Sequence, residues 1–298
     1  LDVGFDKMEL AEQNGPGRWD DDYHRFLMEN ERVDRNDLVD QERDFRENAS
    51  DKYWQTFGAM TSNLPEQYHS TTWIGDRACR SLKQWNPDES NLMMVGFIKP
   101  HHPFDPPAPW DKMYNPDELT LLDGWTDTNL AHDLDHSRGY FPNEKLTRQS
   151  LRRIMAYYYA SISQIDHHVG RMIGILKQKG LYENTMIIFT SDHGDYMGYH
   201  HMILKGNYMY DPVVRVPLVV KWPGNARAAT TTDQLVNNID IAPTICKTAD
   251  CKVPSTMHGN DLAADRAGRE IIFAEGSGLS HVMARTKRRK LILAAPRN

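Results

Sequence analysis

Cysteine is scarce in this chain: three in 298 residues, at Cys79, Cys246 and Cys251. An odd, low count excludes a disulfide framework. Cys246 and Cys251 are near enough in sequence to pair in an oxidising compartment, but two free thiols are the favoured reading. Long apolar runs are missing too, and none approaches the length needed to cross a bilayer. Basic tracts are short and the formal net charge is −6, which argues against a nucleic-acid partner. The run Arg285-Thr-Lys-Arg-Arg-Lys290 reads as a solvated turn. Leu1 to Asp6 carry neither the basic start nor the apolar core of a signal peptide, and no initiating Met. The expectation is therefore a processed or excised chain.

What is present is an ordinary globular balance, 40% hydrophobic and 26% charged. The length suits one large domain, or one domain plus a smaller piece. Mixed charge from Trp19 to Tyr53 predicts short surface helices and loops, an excursion over the main body. Leu64-Pro65-Glu66 opens a helix whose apolar face holds Trp73, Ile74, Ala78 and Leu82. Leu92 to Ile98 suits a buried strand. It runs into Lys99-Pro-His-His-Pro-Phe-Asp-Pro-Pro107, where four prolines forbid helix and central strand and demand an extended loop.

A long helix is predicted over Leu146 to Gln178, with Ile154, Tyr158, Ile162, Ile165, Val169, Met172 and Leu176 at helical spacing and Gly180 as its stop. A strand at Thr185 to Thr190 would complete a βαβ unit with a parallel pair. Further expectations are a strand over Pro217 to Lys221, a helix over Ile239 to Thr248, and short strands at Ile271 to Ala274, His281 to Ala284 and Lys290 to Leu293. No internal repeat is visible.

The densest chemistry lies between Met186 and Lys205, where an apolar strand ends in Asp192-His193-Gly194, with His200, His201 and Lys205 beyond. Open α/β sheets bind ligands at the carboxyl ends of their strands, and Asp with His is a common metal-ligand pair. The plainer reading of Asp192 is a strand-end carboxylate capping the next turn, and of Lys205 a solvated ammonium. Lys99, His101 and His102 also stand at a strand end. His200 and His201 are expected on the loop surface, His102 turned away or packed on proline, and His167-His168 divided between core and surface of the long helix without chemistry.

At these residues the chain resembles the sulfatase family, within the alkaline-phosphatase-like superfamily. The matching pieces occur in family order: Trp73-Ile-Gly-Asp-Arg-Ala78, Lys99-Pro-His-His-Pro-Phe104, and Ala156-Tyr-Tyr-Tyr-Ala160-Ser161 through Asp166, Val169 and Gly170. Then come Ser191-Asp-His-Gly194 with Gly198 and Lys205, Tyr210-Asp211, Arg215-Val-Pro-Leu218, Trp222-Pro-Gly224 and Ile239-Asp-Ile-Ala-Pro-Thr244.

The resemblance implies an α/β fold with a largely parallel sheet and helices on both faces. Residues 1–268 would belong to that domain, and residues 269–298 would begin a small strand-rich subdomain. It also implies metal-assisted hydrolysis of a sulfate ester, on a sulfated small molecule or glycan. Asp192 and His193 would approach a divalent metal, calcium foremost, with magnesium or manganese open. His101 and Lys205 would be catalytic, and Lys99, His101 and Lys205 would bind substrate. A periplasmic or secreted location is favoured over a cytoplasmic one.

One departure stands out. The family's nucleophile is a formylglycine made from a cysteine in Cys-x-Pro-x-Arg or Cys-x-Ala-x-Arg, and none of the three cysteines has that context. The family's paired aspartates at the end of an early strand are missing as well. Both are expected upstream, which would make this an internal portion of a longer protein, inactive by itself. Other readings are a phosphonate or phosphate monoester hydrolase of the same superfamily, or a noncatalytic fragment holding a metal or anion. A zinc hydrolase built on the histidine pairs ranks last, since no His-Glu-x-x-His or Cys-x-x-Cys spacing occurs.

Overall fold

A computed structural model describes residues 4–12, 20–134, 140–206, 208–264, 268–276 and 280–294. In chain order the helices and strands are α1 (Asp22–Glu29), α2 (Arg35–Gln41), α3 (Arg43–Glu47), α4 (Asp51–Gln55), α5 (Ser70–Gln84), α6 (Ala131–Leu134) and α7 (Arg148–Gln178), then β1 (Ile187–Thr190), α8 (Asp211–Val214), β2 (Leu218–Lys221) and α9 (Ile241–Thr248), then β3 (Ile272–Glu275), β4 (His281–Arg285) and β5 (Lys290–Ala294). The chain divides into two compact units. One joins Leu1–Asp127 to Gly139–Tyr182, and the other joins Thr128–Arg138 to Glu183–Asn298.

In the first unit α5 packs along α7. Thr147 and Ser150 close a capping box at the α7 start, each satisfying an otherwise orphaned backbone N–H. The helix stops where Gly180 turns to φ +69° and Leu181 N–H returns to Leu176 O at 2.9 Å. Leu151, Ile154, Met155, Ile165, His168 and Leu176 are buried on it. The buried stripe differs from the expected one at Ile162, which is 39% exposed. Polar Gln164 and His168 lie inside, and Gln164 donates to Thr72 Oγ1 at 3.3 Å. A periodicity drawn through apolar residues alone misses such positions. His167 stays exposed, so the histidine pair divides between surface and core as expected.

The segment from Trp19 to Tyr53, whose first residue lies outside the described ones, does form short helices. It is less of an excursion than expected. Tyr23 and Leu27 share a core cluster with Leu64, Trp73 and Ile74. Asp21, Asp34 and Ser50 cap α1, α2 and α4, which explains why so polar a stretch starts helices repeatedly.

The parallel pairing is corrected. Residues 92–98 form neither helix nor strand. Leu92 and Met94 are exposed, while Val95, Phe97 and Ile98 pack on the core cluster. β1 instead pairs antiparallel with β2, Ile187 opposite Lys221 and Thr190 opposite Leu218. The strand expected upstream does not form among the described residues, and β1 takes as partner the strand that follows it in sequence. The remaining strands also pair antiparallel, in the order β3-β4-β5. The C-terminal strands therefore form as expected, whereas the largely parallel sheet is absent from the described pairings.

The basic turn joins β4 to β5. Lys287, Arg288 and Arg289 are exposed there, but Arg285 and Lys290 at its two ends are ion-paired with Asp211. All three cysteines are free thiols. Among the described residues no helix is long and apolar enough to cross a membrane.

Candidate active site

The proline-rich loop of the first unit is tied down from within. Lys99 is 5% exposed, in ion-pair contact with Asp105, and donates to Pro103 O at 2.8 Å. Burial pushes the Asp105 carboxyl up to about 7 despite the neighbouring ammonium. Burial works against the Lys99 charge, but Asp105, Asp34 and Asp37 hold its pKa above the ordinary value. Of the expected substrate contacts, Lys99 is thus the one whose ammonium is already committed inside the fold.

His101 and His102 stack, ring centroids 4.4 Å apart. His101 Nδ1 lies 2.6 Å from His102 O. A carbonyl only accepts, so Nδ1 carries a proton, and Nε2 is the basic nitrogen of the neutral ring. His102 packs edge-on to Tyr140 and Phe141, and its Nε2 stands 3.0 Å from Asp40 Oδ1. It is therefore held against a carboxylate, with its side chain 11% exposed. The Asp40 side chain is fully enclosed, and Tyr53 and Tyr140 donate to its Oδ1 at 3.0 and 2.9 Å. Burial alone would raise this carboxyl, yet the hydrogen bonds from His102, Tyr140 and Tyr53 hold it below the ordinary value. Asp40 sits 61 positions before His101 in a charged stretch, so nothing in the sequence marked it.

In the second unit β1 ends at Thr190 and the chain turns sharply. Ser191 Oγ donates to His193 O at 2.7 Å and to Asp192 Oδ1 at 3.3 Å, and His193 N–H donates to Asp192 Oδ1 at 2.8 Å. His193 Nδ1 lies 2.9 Å from Gly194 O, which by the same argument makes it a donor and leaves Nε2 basic. That Nε2 is 3.5 Å from Asp192 Oδ2, and the Asp192 side chain is 84% exposed. Gly194 is dictated by close approach: a Cβ there would meet Pro212 O at 2.0 Å, while Gly194 N–H donates to Val213 O at 2.8 Å.

The loop that follows folds back on itself. Tyr196 N–H reaches Leu204 O and Gly198 N–H reaches Met202 O, each at 2.7 Å. Met197, His200, His201 and Leu204 all hold positive φ, from 44° to 66°. Non-glycine residues adopt that region at a cost and seldom in groups. The curl draws both histidines inward, contrary to the surface position expected: His201 is 3% exposed, and His200 lies 3.0 Å from the buried Asp133. Lys205 at the loop's end interacts with Asp195. Burial pushes the Asp195 carboxyl up to about 7, against the opposing pull of Met197 N–H and the Lys205 charge. Asp195 lies three residues past Asp192, and only its burial distinguishes it from an ordinary loop carboxylate.

The five expected site residues thus fall into two groups. Lys99 and His101 share a loop of the first unit, and Asp192, His193 and Lys205 belong to the second. Asp192 and His193 present a carboxylate oxygen and a basic imidazole nitrogen side by side. Adjacent ligands bound at about 2.3–2.6 Å to one hard cation are separated by roughly such a spacing, so the pair fits as part of a divalent-metal site.

Comparison with known proteins agrees with these features. The sequence model of the family described as Sulfatase matches residues 19–251. An arylsulfatase of Clostridium perfringens is 31% identical over 226 residues, 71% of this chain and 46% of that protein. An N-acetylglucosamine-6-O-sulfatase of Bacteroides thetaiotaomicron is 29% identical over 142 residues, 48% of this chain and 25% of that protein. The chain spans less than half the length of these relatives. A phosphonate monoester hydrolase of Agrobacterium radiobacter superposes with a TM-score of 0.69 at 23% identity, covering 79% of this chain and 54% of that one, a likeness of fold. The mixed α/β architecture, the Ser191-Asp-His-Gly194 turn and the family match over most of its length place this chain in the sulfatase family of the alkaline-phosphatase-like superfamily.

Proposed function

We propose that the intact protein hydrolyses a sulfate ester, and that this chain supplies part of its metal-binding and anion-stabilising machinery. The observation that carries the reading is the Asp192–His193 turn. Its carboxylate makes no ion pair with lysine or arginine among the described residues and stands 3.5 Å from a basic imidazole nitrogen. Asp192 and His193 would hold the divalent cation. Calcium suits the hard carboxylate oxygen, with other ligands completing a shell of about six to eight. When bound, the cation supplies positive charge to offset that on the sulfate's nonbridging oxygens.

Lys205 adds an ammonium for the same charge, within electrostatic reach of Asp195. His101 is oriented by its Nδ1 bond to His102 O, so Nε2 is the atom at which it would hold a proton for the leaving oxygen. Lys99 enters by locking the loop that carries His101, through Pro103 O and Asp105. Formylglycine does not fit the cysteines present: Cys79 is buried on α5, and neither Cys246 nor Cys251 lies in the required context. No nucleophilic step is therefore derived from this chain.

A sulfated small molecule or glycan is the substrate class in keeping with the family and with the sulfatase acting on N-acetylglucosamine. A periplasmic or secreted location goes with such substrates. The test is an assay of the intact protein against an aryl sulfate and the matching aryl phosphonate. Faster sulfate turnover is expected, while faster phosphonate turnover would move the assignment to the other branch of the superfamily. Lys205→Ala should lower kcat/KM by about 10²–10³, and His101→Ala by about 10²–10⁴.

A further inference from the structure

We propose that His132, Asp133 and His200 form a second metal site, selective for a zinc-class transition ion and distinct in its donors from the Asp192–His193 pair. His132 and Asp133 come from α6, and His200 from the curled loop after β1, all within the second unit. One ligand atom from each of the three lies within 4.8 Å of the others. His200 Nδ1 stands 3.0 Å from Asp133 Oδ2, and His132 Nε2 stands 3.2 Å from Asp133 Oδ1. Zinc bound tetrahedrally at about 2.0–2.1 Å sets its ligand atoms roughly 3.3 Å apart. Both separations from Asp133 are close to that value. Two imidazoles and one carboxylate favour zinc over calcium, which takes oxygen ligands almost alone.

Three further observations point to a ligand. The Asp133 side chain is wholly buried, yet it makes no hydrogen bond or ion pair with a lysine or arginine among the described residues. A buried carboxylate is costly without a compensating cation. Next, Tyr210 donates to Asp133 Oδ1 at 2.8 Å, the kind of outer hydrogen bond that orients a ligating carboxylate. Its hydroxyl is also 2.8 Å from His132 Nε2. Finally, His200 is held in place at some cost. It sits at φ +51°, its ring stacks on Tyr199 with centroids 4.1 Å apart, and Asn129 Nδ2 donates to His200 O and His201 O at 3.5 and 3.3 Å. A loop kept in left-handed backbone around one histidine is what a preorganised ligand requires. The His132 side chain is 61% exposed, so an ion could enter from that side and keep a water as fourth ligand.

The test is competitive zinc titration of the chelator-treated chain against a metal-binding dye, alongside His132→Ala, Tyr210→Phe and Asp192→Asn. The wild-type chain should take zinc from the dye. Tyr210→Phe should weaken binding by about tenfold, His132→Ala by more, and Asp192→Asn should leave it unchanged. Cobalt in place of zinc should give the visible absorption of four-coordinate cobalt, lost in His132→Ala. The exposed His132 is the chosen ligand because its removal leaves the buried residues in place, and thermal melting without metal checks this. Zinc affinity equal in His132→Ala and wild type would overturn the proposal, as would failure of wild type to compete with the dye. Loss of zinc in Asp192→Asn alone would do the same. None of these outcomes depends on sulfatase turnover.

Discussion

Two aspartates, one from each unit, show how differently this chain treats a carboxylate. Asp40 is enclosed by Tyr53, Tyr140 and His102, and its charge is met by hydrogen bonds from the chain itself. Asp192 is 84% exposed, touched by Ser191 Oγ and the His193 N–H, with its second oxygen turned to an imidazole 3.5 Å away. The first is engaged by side chains of its own unit, one of them on the His101 loop. The second, on the proposed reading, awaits a cation. On that reading, a positioning carboxylate is enclosed and a metal-binding one is open.

The largest effect expected on that contrast comes from breaking a closed pair in the first unit. Lys99→Ala leaves Asp105 buried without its cation and should cost about 3–5 kcal/mol, read as a shift of the urea midpoint. A change below about 1 kcal/mol would mean that the loop tolerates an open carboxylate, and the contrast would fail.

Next is Gly194→Ala, whose new methyl would press on Pro212 O. A loss of about 1–3 kcal/mol is expected. Metal affinity should fall with it, because the turn carrying Asp192 must shift. Retained affinity would show that the turn is set elsewhere.

A smaller effect concerns pH. Asp105 and Asp195 ionise at about 7 in the fold, against 3.8 for the ordinary group. Between those values the folded chain holds more protons than the unfolded one, so their contribution is full below 3.8 and lost as pH rises through about 7. Asp195→Asn should flatten the decline in urea stability between pH 5 and pH 8, and an unchanged slope would remove Asp195 from this account.

The smallest expected change in stability, within about 0.5 kcal/mol, belongs to Asp192→Asn, although it should abolish divalent-metal binding at that turn. A large destabilisation would mean that Asp192 is a structural cap after all.

Much of this was legible in the residues. Helical spacing located α7 and the apolar face of α5, and α9 and β1 to β5 lie within a few residues of their expected bounds. The Ser191-Asp-His-Gly194 sequence marked the candidate metal turn by residue type alone, while the carbonyl that demands Gly194 belongs to Pro212, 18 positions on. Sheet pairing was not legible. Residues 92–98 have the composition of a strand, but composition does not say which edge meets which, and β1 took β2.

Partners distant in sequence escaped for the same reason. Asp40 and His102 lie 62 positions apart, and Asp133 and His200 lie 67 apart. By itself the sequence determined the family, the order of elements and the residues able to do chemistry, since these depend on residue type and short-range spacing. Only tertiary structure decided which carboxylate is enclosed and which is open, that His200 and His201 turn inward, and that Lys99 is spent on Asp105. Burial and long-range contact fix those outcomes, and neither is a property of any short stretch of chain.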